Sequence, residues 1–77
     1  MDLALTGPTG SIYKLQVDLN TTLEQLRLKV QQLTGVLPFE QTLLHAGKEL
    51  TASELTVAEM GFRNFDCVQL AIRYFGG

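Results

Sequence analysis

Seventy-seven residues, 45% of them apolar and 18% charged, are enough for one globular domain and leave little room for a second core. A formal net charge of −2 with no basic run argues against nucleic acid or an anionic membrane as a direct partner. No apolar run approaches the roughly 20 residues that a membrane span needs.

The single Cys67 precludes an intramolecular disulfide and suits a reducing compartment. Met1 is followed by Asp2 and alternating residues, not by a basic segment and an apolar block, so no signal-peptide pattern is visible. The expected location is the cytoplasm, the nucleus or both, and the expected state is a monomer without a cofactor.

Met1, Leu3 and Leu5 alternate with Asp2, Ala4 and Thr6, the period of a half-buried strand. Gly7-Pro8-Thr9-Gly10 is turn chemistry, and no helix start follows it that would make it a phosphate cradle. Tyr13, Leu15 and Val17 alternate in a second strand, so the pair reads as a hairpin.

A helix follows. Thr22 is its expected N-cap, with Gln25 completing a capping box and Glu24 complementing the first-turn dipole. Leu23, Leu26, Val30 and Leu33 recur at three- and four-residue spacing, an apolar stripe that must lie on a sheet, while Leu28 falls off it. Gly35 stands where a left-handed C-cap belongs, with Pro38 soon after.

Residues 41–45 read as a strand with Leu43 inward and Leu44 outward. Ala46-Gly47-Lys48 reads as a turn and Glu49-Leu50 as a brief return. Residues 51–56 are polar and irregular. Val57, Met60 and Phe62 form an apolar anchor, and Asn64-Phe65-Asp66 a last bend. Val68, Leu70 and Ile72 give the final strand. One sheet with one helix across one face is the simplest burial for this order, an α+β arrangement of four to five strands that suits a β-grasp.

The chain at this point resembles the ubiquitin family over essentially its whole length. The residues that carry the resemblance are Thr9-Gly10, Leu15-Gln16-Val17, Thr22 with Glu24, Lys29, Gln31, Gly35, Pro38 and Gln41. Leu43, Ala46-Gly47-Lys48, Leu50, Leu70, Arg73 and Gly76-Gly77 complete the set. Register is unbroken to Leu50, and one extra residue near 51–55 restores it to the end. The resemblance implies a single domain over 1–77, with first and last strands paired in parallel and 73–77 a flexible tail.

It also implies sites. The family's outward apolar patch falls on Pro8, Leu44, Gln69 and Ala71, and a basic flanking position is Thr42 here. Alanine in place of a valine-sized group forfeits on the order of 1 kcal/mol of contact. Lys48 and Lys29 match positions that link chains in the family, and Lys14 is additional. Arg73 keeps one tail arginine and Phe75 replaces the other, so an arginine fork for an acidic enzyme cleft is reduced. Phe39, Phe65 and Phe75 stand at positions that are polar and outward in the family, which makes Phe39 with Tyr74-Phe75 a candidate recognition surface.

His45 and Cys67 are the one nucleophile-and-base pair by residue type. With no third orienting residue they read as structural, and one Cys with one His falls short of a metal site. The protein is therefore expected not to be an enzyme. The leading expectation is a protein modifier activated at the Gly77 carboxyl, with Gly76 beside it, and joined to target amines. The resemblance also implies a route to it, release from a precursor such as a fusion with a ribosomal protein. Its expected partners are activating and conjugating enzymes, a processing protease and ubiquitin-receptor proteins. The alternatives are a non-conjugated domain that docks a longer protein onto proteasomal or ubiquitin receptors, with Gly76-Gly77 an interior dipeptide, and a sulfur carrier.

Overall fold

The computed structural model describes residues 1–73. The expectations placed on Tyr74, Phe75, Gly76 and Gly77 lie outside the described residues. Strand β1 (Asp2–Thr6) and strand β2 (Ile12–Gln16) form an antiparallel hairpin, Leu3 opposite Leu15 and Leu5 opposite Tyr13. Its loop is Pro8-Thr9-Gly10. Gly10 takes the left-handed conformation at φ 86° and donates to the Gly7 carbonyl, while Gly7 N–H donates to Ser11 O. That is the three-residue hairpin with glycine at the αL position. Val17 lies just past the strand yet exchanges both backbone bonds with Met1, so the ladder runs one pair further.

Helix α1 (Leu23–Thr34) begins with every early N–H satisfied. Leu23 and Glu24 donate to the carbonyls of Leu55 and Ser53, Gln25 to Thr22 Oγ1, and Leu26 to Thr22 O. Gln25 Oε1 accepts the Thr22 N–H in return, which completes the capping box. Gly35 closes the helix at φ 77°, where a Cβ would be strained. Leu23, Leu26 and Val30 are buried completely.

Leu33 departs from the expected stripe: it is 42% exposed. The last turn overhangs the margin of β2, where Leu33 borders a groove with Lys14, Leu15 and Gln16 instead of meeting the sheet face. Periodicity assigns the azimuth of a side chain, not whether the sheet extends beneath it.

A 3-10 turn at Pro38–Glu40 leads into β3 (Gln41–His45), and β4 is Lys48–Glu49. Lys48 thus belongs to the strand, not to the turn as expected. The turn is the dipeptide Ala46-Gly47, both at positive φ (52° and 78°), the combination a two-residue type I′ hairpin needs. Leu50 lies past the strand, and its N–H donates to Leu43 O.

Residues 51–56 carry no strand or helix, and Val57 and Phe62 anchor the following turn in the core. The 64–66 bend docks on β1. Asp2 N–H donates to Asn64 Oδ1, Phe65 N–H to Asp2 O, and Ala4 N–H to Asp66 O. Strand β5 (Cys67–Ile72) then runs parallel to β1 and antiparallel to β3, giving the order β2-β1-β5-β3-β4. The inward residues Leu3, Leu5, Leu15, Leu43, Val68 and Leu70 share one core with the helix.

Candidate protein-binding face

Because strand side chains alternate, the burial of Leu5, Leu43 and Val68 places their neighbours on the opposite, helix-free face. One row crosses four strands there. Ile12 is opposite Thr6, Thr6 is beside Gln69, and Gln69 is opposite Leu44. The next positions on the same face are Ala71 opposite Thr42 on one side, and Cys67 beside Ala4 on the other. Leu44 is half-buried and Gln69 and Ala71 are exposed. Pro8 is exposed in the loop that leaves β1 two residues after Thr6. Leu44, Gln69 and Ala71 are therefore brought together on adjacent strands, with Gln69 as a polar break between aliphatic groups.

A second cluster lies where β5 ends. Arg73 N–H donates to Glu40 O, and its guanidinium meets Glu49 Oε2 at 2.8 Å. Arg73, counted with the tail in the sequence, is thus bonded through both its backbone and its side chain. Phe39, 63% exposed, and Arg73 border one hollow of about 520 Å³ together with Arg27 and Glu49. Lys48 is exposed on β4 and Lys29 is half-buried on α1.

Two residues that position this cluster were not singled out as structural from the sequence. Arg27 donates to the carbonyls of Gln41 and Leu50, and the nearly fully buried Gln41 returns Nε2 bonds to the carbonyls of Arg27 and Val36. Gln41 Oε1 has no partner among the described residues. These bonds tie the helix to the start of β3. The signal was available: Arg27 follows Leu23 by one helical turn and so stands beside the buried stripe. Burial holds the Arg27 guanidinium below the usual arginine value and Arg73 adds to this, while Glu49 acts the other way.

His45 and Cys67 part company. His45 follows the outward Leu44, stacks on Phe62 at 3.9 Å and shares a 3.2 Å bond with Asp66 Oδ2. Cys67 precedes the inward Val68 and is exposed on the helix-free face. The imidazole is engaged with a carboxylate and a ring on one side of the sheet, and the thiol stands on the other. No group of three or more His, Cys, Asp or Glu suited to a metal occurs among the described residues. The Asp66 carboxyl is held below the ordinary value, chiefly by the Arg63 backbone N–H; desolvation opposes this, and the bond and charge of His45 add to the lowering.

A mixed sheet with β1 and β5 parallel at its centre and one helix across one face defines a β-grasp domain. A model of the ubiquitin family matches residues 3–74, and the chain belongs to that family. It is a ubiquitin-like protein, and its fold is one suited to protein–protein contact.

Proposed function

We infer that the protein is a ubiquitin-like modifier. The Gly77 carboxyl is activated by ATP as an acyl adenylate with loss of pyrophosphate. An enzyme thiolate then displaces AMP to give a thioester, and an amine of the target takes the acyl group and releases the thiol. The partner enzymes perform each step. This chain supplies the acyl group, reached by synthesis or by a cut after Gly77, and the faces that dock. Gly76 and Gly77 have no side chains to obstruct a narrow cleft.

The observation that carries the reading is a family match running through residue 74, with Gly76-Gly77 following shortly after the backbone bond from Arg73 to Glu40. Arg73 and Phe39 form the approach to the tail, together with Tyr74 and Phe75 by sequence. Leu44, Gln69 and Ala71, flanked by Pro8, dock receptors. Lys48 is the better placed of the two linkage lysines, since Lys29 is half-buried.

The test is to express the tagged chain in its native reading frame and follow it by denaturing electrophoresis and mass spectrometry. Higher-mass conjugates that vanish when Gly77 is deleted are the expected result. A uniform longer chain without conjugates overturns it in favour of a docking domain.

A further inference from the structure

Three lysines occur in the chain. Lys29 is half-buried on α1, and Lys48 stands on β4 beside Glu49, whose carboxylate is engaged with Arg73. Lys14 lies on β2 opposite Ala4, on the helix-free face, with its side chain 67% exposed. The short Ala4 side chain leaves the Lys14 stem open along that face. Asp2 Oδ2 lies 3.5 Å from the ammonium, a weak exposed pair that still biases the amine toward this side of the sheet. Asp2 is itself fixed, since its N–H donates to Asn64 Oδ1 and its carbonyl accepts from Phe65 N–H.

The same face carries an apolar hollow of about 340 Å³, bordered by Ala4, Ile12 and Phe65 together with Lys14 and Asp2. Ile12 is 75% exposed and Phe65 73%. Phe65 also takes the left-handed backbone conformation at φ 69°, which glycine and asparagine accommodate and a bulky side chain does not readily adopt. An exposed ring on such a backbone stabilises the fold little, and its place is accounted for by a contact outside the chain.

We propose that Lys14 is an acceptor amine for a second copy of this chain, and that the enzyme bearing the Gly77 thioester seats on the hollow of Ile12 and Phe65. The inference rests on the modifier reading and adds where one copy is joined to the next. To form the bond, the thioester carbonyl must come within about 3–3.5 Å of the Lys14 nitrogen. An enzyme surface that close covers the hollow that Lys14 borders. The ammonium first gives one proton to solvent, and the free amine then attacks the Gly77 carbonyl. A C–N bond forms, the C–S bond breaks, and a proton from the nitrogen ends on the departing thiolate. Lys14 and Leu44 are separated by three strand spacings, roughly 14 Å or more. A chain built through Lys14 therefore leaves the row of Leu44, Gln69 and Ala71 open on every unit.

The experiment expresses the tagged chain in its native reading frame, purifies it from cells under denaturing conditions and digests it with trypsin. A joined Lys14 resists cleavage, so the expected product is a peptide running uncut through Lys14 to Arg27, with Tyr74-Phe75-Gly76-Gly77 attached at Lys14. Lys14→Arg keeps the charge beside Asp2 and is expected to abolish this remnant and thin the ladder of self-joined species, while conjugates on other proteins persist. Phe65→Asn relieves the backbone and removes the ring. It is expected to leave Tm no lower and to cut the Lys14 remnant about tenfold, with any Lys48 remnant unchanged. Remnants on other proteins or on Lys48, with none on Lys14, overturn this proposal and leave the modifier reading standing. The absence of a remnant on any lysine overturns both. A Lys14 remnant undiminished by Phe65→Asn overturns the hollow as the seat of the enzyme.

Discussion

Ala71 and Asp66 show how single side chains set what each face does. Ala71 lies opposite Thr42 and next in line to Gln69, where a larger aliphatic group would extend the surface begun by Leu44. Ala71→Val adds two methyl groups to an exposed position, worth on the order of 1 kcal/mol if a receptor covers them. Titration calorimetry against an isolated ubiquitin-receptor domain then reads about a fivefold gain in affinity. No change places the receptor elsewhere. Asp66 bears on stability instead. Its folded carboxyl titrates below its unfolded value, so it contributes stability above the unfolded pKa that is lost as pH falls through the folded one. Asp66→Asn therefore flattens the acid limb of a stability–pH curve from urea denaturation. An acid limb as steep as in the parent protein contradicts this.

Among the elements, the β3–β4 hairpin offers the clearest energetic test. Ala46 occupies the left-handed region at φ 52°, a conformation that costs an L-residue with a Cβ about 1–2 kcal/mol. Asparagine tolerates it and is favoured in type I′ turns. Ala46→Asn is expected to stabilise by about 1 kcal/mol, a rise in Tm of about 4–8 °C by calorimetry for a domain this size. An unchanged Tm would mean the turn relaxes without strain. This hairpin also shows where sequence reasoning stopped short. Ala46-Gly47 was legible as a turn, yet its length was not, because Lys48 suits either a turn or an edge strand. Helix α1 was legible at both ends, since Thr22, Gln25 and Gly35 act locally. Leu33 was not, because its exposure depends on where β2 ends beneath the helix. Arg27 and Gln41 were missed as a pair for a related reason: their bonds join residues 14 apart in the chain, beyond any local pattern.

At the scale of the whole molecule, the outward patch was legible through the family register, and the structure supplies its strand-by-strand neighbours. The cluster at Arg73 was half legible. Phe39 and Arg73 stood out by residue type, whereas Glu49 as the partner of Arg73 and Arg27 as its neighbour arise only from folding. Sheet, helix and turns together hold two separate surfaces, the Leu44 row and the hollow beside Arg73. On the modifier reading proposed above, such a body presents itself and the glycine dipeptide beyond Arg73 to other proteins. The most direct test of that claim is a tryptic digest of affinity-purified cellular protein. Cleavage after Arg73 leaves Tyr74-Phe75-Gly76-Gly77 on any lysine to which the chain has been joined. Acceptor peptides branched with that remnant are the predicted result. Peptides that instead run linearly past Gly77, with no branched lysine found, would contradict it.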